Sequence, residues 1–297
     1  MVSTRPSGTA RPVADAEGAL PLETAPGVRA GTPPRPRRRA NLSAIAVIAH
    51  RDLIKLLRDR VRLVSELAFP LILVLVLGPV LQAGFGSPGG INLTFFVFTG
   101  VLAQTIWQSS VLGLVSLLAD REEDFSQEIF VSPVSRYSII AGKVIGESLV
   151  AMPTGFGIIV IGIIAGVPLS PLVLVALVPV LFLVAVYGGA FGLLILANLS
   201  TQRQANQIFP FVLLPQFFLA GIFNPIHDVP PLLAVLSALS PLRWAVELTR
   251  HVIYGLQPSV PAPQLTPLPV VLAVMVLSFV GFMILGTLRF VRREQNR

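Results

Sequence analysis

Along this chain, apolar residues fall in uncharged stretches of about 18 or more, separated by shorter polar connections. Such stretches exceed an ordinary core helix and match a bilayer, whose hydrocarbon about 20 helical residues cross. Six are predicted as spanning helices: 67–85, 93–118, 142–166, 171–197, 206–223 and 267–288. Pro70, Pro79, Pro153, Pro179, Pro210 and Pro215 lie inside or near their ends. Proline is tolerated there because neighbouring helices and side chains satisfy the carbonyls it frees. The third and fourth spans are joined by a tight uncharged turn, Val167-Pro168-Leu169-Ser170-Pro171.

The connections carry their own patterns. Residues 42–64 predict an amphipathic helix, with Leu53, Leu56, Leu57, Val61 and Val64 at helical spacing. Arg51, Lys55, Arg58 and Arg62 share the opposite face, which suits the plane of a membrane surface. This helix runs straight into the first span, so it forms an elbow. Residues 120–142 open with Asp120-Arg121-Glu122-Glu123-Asp124, predicting a short charged helix, a break at Pro133 and an N-cap at Ser135. Residues 224–267 hold two apolar stretches too short to cross, 231–239 and 241–255. The second has Ser240 at the N-cap, Pro241 in the first turn, and an Arg243–Glu247 pair at i, i+4. Together they predict a re-entrant or interfacial hairpin.

Composition sharpens this picture. Only 12% of residues are charged, about half the share of a soluble domain, so the fold class is all-α integral membrane. Residues 1–40, rich in Pro, Ala, Gly and Arg without apolar periodicity, predict a disordered cytoplasmic tail; 41–297 form the transmembrane domain. No apolar segment follows Arg5 and Arg11, so this is not the pattern of a signal peptide. Arg121, Arg136 and Lys143 follow the second span, Arg203 the fourth, and Arg289, Arg292, Arg293 and Arg297 the last. The connections after spans one and three carry no charge. Basic residues mark the cytoplasmic side, which places both termini inside. The net charge of +7 therefore reads as flanking charge and lipid contact, not nucleic-acid binding. The absence of cysteine removes disulfides, thiolate metal sites and cysteine nucleophiles.

Ionisable chemistry is sparse. The middles of spans two, four, five and six hold no Asp, Glu, Lys, Arg or His, although ion-driven carriers keep such groups to bind their ion. Glu66 and Glu147 fall near span ends and read as interfacial. There is no phosphate-binding G-x-x-x-x-G-K-[ST], no H-E-x-x-H and no G-x-S-x-G. His50, His227 and His251 are far apart, and His227-Asp228 reads as a solvated turn. Energy must then reach the spans from outside the chain. What the spans hold is uncharged polarity and aromatic surface. Span two carries Gln104, Trp107 and Gln108, the two amides sharing a face. Span five carries Phe209, Phe211, Phe217, Phe218 and, at its end, Phe223, with Gln216 as its polar member. Amides glue helices together and phenylalanines face lipid in the plainer reading; in the sharper one they line a path for a bulky amphipathic solute.

In order and spacing, several segments resemble the permease subunit of ABC-2 type exporters, a group that includes daunorubicin-resistance-type multidrug permeases and polysaccharide exporters. They are the basic elbow, Glu128-Ile129-Phe130-Val131-Ser132-Pro133-Val134-Ser135, Ile140-Ala141-Gly142-Lys143, Phe218-Leu219-Ala220-Gly221-Ile222-Phe223, and Leu239-Ser240-Pro241 opening a helix before the last span. The resemblance covers residues 42–295 and implies the type V exporter fold, with six spans, an elbow and an external re-entrant hairpin. It implies no catalytic residue, cofactor or metal in this chain, with ATP and Mg on a separate ABC ATPase subunit. Glu122, Glu123, Asp124, Phe125, Glu128 and Pro133 would then couple to that ATPase. A second copy or a sibling would complete the transporter, a homodimer in the simplest case, in a bacterial cell membrane. Spans two and five would line the pathway, giving Gln104, Trp107, Gln108, Phe211, Gln216 and Phe218 a role in efflux of a drug-like or lipid-like molecule. Export of a lipid-linked glycan, and a channel or scaffold without an ATPase, are the alternatives.

Overall fold

Hydrocarbon offers no water to backbone polar groups, and every regular element among the described residues is helical. The computed structural model describes Ile54 and residues 60–118, 136–225 and 229–295, all within one unit, Pro36–Arg297. The tail 1–40, the elbow 42–64 apart from Ile54 and 60–64, Ser135 and the pair His227-Asp228 lie outside the described residues.

The first span joins α1 (Arg60–Ile72), a π-helical turn (Leu73–Leu77) and α2 (Gly78–Phe85). Pro70 has no amide hydrogen, so the Glu66 carbonyl loses its i+4 donor and the wider π register follows within a turn. The turn to α3 (Leu93–Gly113) uses Gly86, Gly89 and Gly90 at positive φ, which other residues rarely adopt. Gln82 holds this turn: its Nε2 donates to the Gly86 carbonyl and Ser87 Oγ at 2.9 Å each, and its Oε1 accepts from Leu93 N at 2.6 Å. Asn92 then caps α3 by accepting from Phe95 N at 2.9 Å. Next come α4 (Arg136–Ile164), α5 (Pro171–Leu196) capped by Ser170, and α6 (Gln202–Leu219) capped by Thr201. A short α7 (Pro231–Leu239) turns by 85° into α8 (Pro241–Gly255), and α9 (Leu268–Gln295) ends the fold.

Among the described residues, five helices are long and apolar enough to cross a bilayer: Val64–Phe85, Leu93–Leu118, Ile139–Ile164, Pro171–Leu196 and Leu268–Arg292. A sixth arises if the bent pair α7–α8 counts as one broken span. The segment predicted at 206–223 is the 18-residue α6, shifted to 202–219. Its first turns carry Gln202, Arg203, Gln204, Asn206 and Gln207, which dilute its apolar character below that of the other five. Ser240 does occupy the N-cap of α8, but its hydroxyl makes no capping bond and has no partner among the described residues.

Helix α3 is the pillar of the bundle. In the most apolar stretch of its span 78% of residues are buried, against 22% for the first span and 11% for the last, whose side chains point mostly outward from the bundle. It packs on α4, α5 and α8, and α5 in turn carries α9. Contact with α5 runs through Gly188 and Gly192, a G-x-x-x-G spacing that lets backbones meet. A Cβ at Gly188 would sit 2.6 Å from the Trp107 carbonyl oxygen; one at Gly192 would sit 3.0 Å from that of Val111. Gly188→Ala should therefore cost about 1–3 kcal/mol through overpacking. Gly281→Ala, at a position with nothing within 4 Å, should be neutral. Thermal unfolding of the purified variants followed by size-exclusion profile checks this; equal midpoints would contradict it.

Candidate functional site

Helices α1, α3 and α6, with the start of α8, line an open cavity of about 400 Å³. Helix α6 contributes Asn206, Phe209, Pro210, Leu213, Leu214, Phe217 and Phe218. These recur at steps of three, one, three, one, three and one, so they form a single stripe. Helix α3 contributes Gln104, Trp107, Gln108 and Leu112, again at helical spacing, with Phe69 from α1 and Leu242 from the start of α8. The wall is aromatic and aliphatic, with three side-chain amides and no charged residue. Phe69 and Phe217 meet across it with ring centroids 5.9 Å apart, and Phe217 continues edge-on to Phe218 and Phe223. The Gln104 amide donates to the Gln108 carbonyl oxygen. Trp107 stacks on Phe191 of α5 at 5.3 Å, and its buried indole N–H has no partner among the described residues.

Of the six residues expected to line a path, Gln104, Trp107, Gln108 and Phe218 stand in this wall. Phe211 and Gln216 do not. Phe211 is 82% exposed, two positions off the stripe, and turns away from the cavity. Gln216 is buried beside the stripe, and its Nε2 donates to the Val212 carbonyl at 3.2 Å. Phe209 and Phe217, counted in the aromatic surface of this segment, also stand in the wall, and Leu213, which the three-and-four spacing of α6 points to, joins them. Glu122, Glu123, Asp124, Phe125, Glu128 and Pro133 lie outside the described residues.

The buried polar groups are clamps between helices. Glu147, expected at an interface, is 4% exposed. It pairs with Lys143 Nζ at 3.1 Å and accepts from Ser116 Oγ at 2.8 Å, joining the end of the second span to α4. Glu66 accepts from Ser109 Oγ and Thr154 Oγ1, each at 3.1 Å, joining three spans. Arg250 of α8 is buried with its guanidinium 3.6 Å from the Phe96 ring centroid. It donates to Thr99 Oγ1 and the Phe96 carbonyl at 3.2 Å each, and to the Ile222 carbonyl at 3.5 Å. The corner of α7 and α8 is held by Ser237 Oγ donating to the Leu219 carbonyl at 2.6 Å and Trp244 Nε1 to that of Ala238 at 3.0 Å. Glu247 pairs with Arg243 at 3.3 Å and accepts from Thr266 N and Oγ1 at 2.8 and 2.9 Å, tying the lead into α9 to α8. Ser170 N donates to Gln257 Oε1 at 3.1 Å, which places the exit of α8 beside the uncharged turn before α5. Among the described residues no three of His, Cys, Asp and Glu group to hold a metal ion.

Comparison with known proteins agrees with this architecture. The transport permease ycf38 of Cyanophora paradoxa is 26% identical over 213 residues, covering 70% of this chain and 73% of its own. The inner membrane transport permease YadH of Escherichia coli K12 is 26% identical over 184 residues, 61% of this chain and 71% of its own. YbhR of the same organism, named as a multidrug ABC transporter permease, is 28% identical over 168 residues, 54% of this chain and 44% of its own. The family model for the ABC-2 type transporter matches residues 43–254. That match takes in the first span, the pillar helix, the cavity wall and the bent pair, and the chain belongs to the ABC-2 type transporter family as a membrane permease.

Proposed function

We propose that this chain is the permease half of an exporter that moves an amphipathic, drug-like or lipid-like molecule out of a bacterial cell across its inner membrane. ATP and Mg would be bound and hydrolysed by a separate ABC ATPase subunit, and a second copy of this chain would complete the transporter. One observation carries the reading: the cavity wall is aromatic and amide-bearing, with no charged residue to bind a driving ion. A wall of this chemistry fits a compact apolar body with a few hydrogen-bonding groups better than it fits a glycan polymer. The multidrug name of the relative YbhR favours the same choice. A daunorubicin-resistance-type substrate belongs to this proposal.

In this proposal residues 42–64 form the elbow, and α7–α8 form a re-entrant hairpin on the external side. The uncharged turns 86–92 and 165–170 support that sidedness, since the basic residues gather at the other end with both termini. The segment around Glu122, Glu123, Asp124, Phe125, Glu128 and Pro133 is the coupling element. It links α3 to α4, whose adjoining ends the Ser116–Glu147 bond already joins, so a push on it moves two spans together. The pathway residues are Gln104, Trp107, Gln108 and Phe218 in the wall, with Phe211 and Gln216 outside it.

Two measurements test this reading in vesicles that contain the permease with the proposed ABC ATPase subunit. Glu128→Arg should cut ATP-dependent transport about tenfold or more, because it sets a like charge against a docking contact, while the purified ATPase stays active. Unchanged transport would remove the coupling role. Phe218→Ala should raise the substrate's half-saturating concentration about tenfold through lost apolar burial, and Phe211→Ala should leave it unchanged. Equal effects from both would separate the cavity from transport.

A further inference from the structure

The second span is not one continuous helix. Helix α3 ends at Gly113, and Leu114 and Val115 form a turn before a last helical piece, 116–118. The amides there bond three residues back instead of four. Val115 N donates to the Leu112 carbonyl at 3.0 Å, and Leu117 N and Leu118 N donate to those of Leu114 and Val115 at 2.9 Å each. Tightened turns inside a longer helix often mark a hinge. This one directly follows Leu112, the last α3 residue of the cavity wall, and leads through 116–118 into residues 119–135.

Gly113 leaves room at the break, and Glu147 of α4 fills it. A Cβ at Gly113 would collide with Glu147 Oε2. The Ser116 hydroxyl, on the far side of the break, reaches the Gly113 carbonyl at 2.5 Å and Glu147 Oε1 at 2.8 Å. Lys143 Nζ, one turn earlier on α4, holds the same Oε1 at 3.1 Å. Both charged side chains are buried. One carboxylate therefore touches α3 before the break and binds the piece after it. A buried ion pair adds little net stability over a well-packed apolar pair, so its place at this break points to a different use.

We propose that Glu147 is a positioning residue that fixes the piece 116–118 against the rest of α3. With Glu147 in place, a displacement of that piece is passed to Gly113 and to the wall residue Leu112. Without it, bending at Leu114 and Val115 absorbs the displacement. The assignment deepens the export reading and rests on an ABC ATPase acting on the segment that holds Glu122 to Pro133. A clamp that only stabilised the bundle would behave differently, because an apolar pair of similar size would replace it without loss.

The test uses the permease with the proposed ABC ATPase subunit in nanodiscs. A single cysteine replaces the cavity residue Leu214, in a chain that has none of its own. N-ethylmaleimide is the probe, and the readout is its labelling rate with ATP and vanadate relative to the rate without nucleotide. In the otherwise unaltered chain the two rates should differ by about fivefold or more, the scale of coupling between distant sites. Ser116→Ala should bring them together, and Ser116→Thr, which keeps the hydroxyl, should preserve the difference. The double variant Lys143→Met, Glu147→Leu should also abolish the difference while its thermal midpoint is not lowered. A full difference in Ser116→Ala or in the double variant would overturn the assignment and leave the export reading standing. Loss of the difference only together with a lowered midpoint in the double variant would reduce Glu147 to a structural clamp, and the assignment would fall. Equal rates in the otherwise unaltered chain would show that the ATPase does not move the wall, and the coupling reading and the assignment would fall together.

Discussion

The close approach of α3 to α5 sets the rest of the arrangement. Only glycine fits at 188, where a side chain would meet the Trp107 carbonyl. Because the backbones touch there, α3 can be surrounded on nearly all sides and still carry large residues. Trp107 turns its ring onto Phe191, and the same helix offers Gln104 and Gln108 to the cavity. Lipid supplies no hydrophobic force between helices, so this packing and the few interhelical hydrogen bonds hold the bundle. A wider contact at Gly188 and Gly192 would shift the α3 wall against α6 and spoil the cavity.

Polar groups inside such a bundle are costly unless satisfied, and several here bind elements that are distant in sequence. Lys143, Glu147 and Ser116 fasten the two helix ends that flank residues 119–135. Arg250 fastens α8 to α3 and to the exit of α6 through three neutral acceptors and one ring. Buried ion pairs add little net stability against an apolar replacement, but removing one partner is expensive. Their use here is registry: they fix which turn of one helix faces which turn of the next. Clamped in this way, α3 and α4 would move together if either were displaced.

The fold was largely legible because bilayer thickness leaves so few solutions. Run length alone located the five long spans within a few residues. The weak point was α6, whose polar first turns moved the helix four residues earlier than its apolar run implied. Half of the site was legible for a similar reason: Gln104 and Gln108 share a face by spacing. Phe211 and Gln216 were chosen by residue type, and the helix period puts both off the stripe that Phe209, Leu213 and Phe217 occupy. For Glu147 the sequence gives depth along one helix but not the neighbours that cover it, Lys143 and Ser116. Thr154, far away in sequence, could not be foreseen as a partner of Glu66. Ser240 shows the converse, a favoured cap residue in the right place whose hydroxyl caps nothing.

The chain contains no cysteine, which allows the cavity to be closed chemically without background. Phe69 and Phe217 face each other across it on α1 and α6. A short bifunctional thiol reagent joining cysteines placed at these two positions would lock the walls together. Under the export reading proposed above, transport should stop on cross-linking and return when a reducible linker is cleaved. Transport that continues at the full rate in the cross-linked protein would show that the substrate does not pass between these helices.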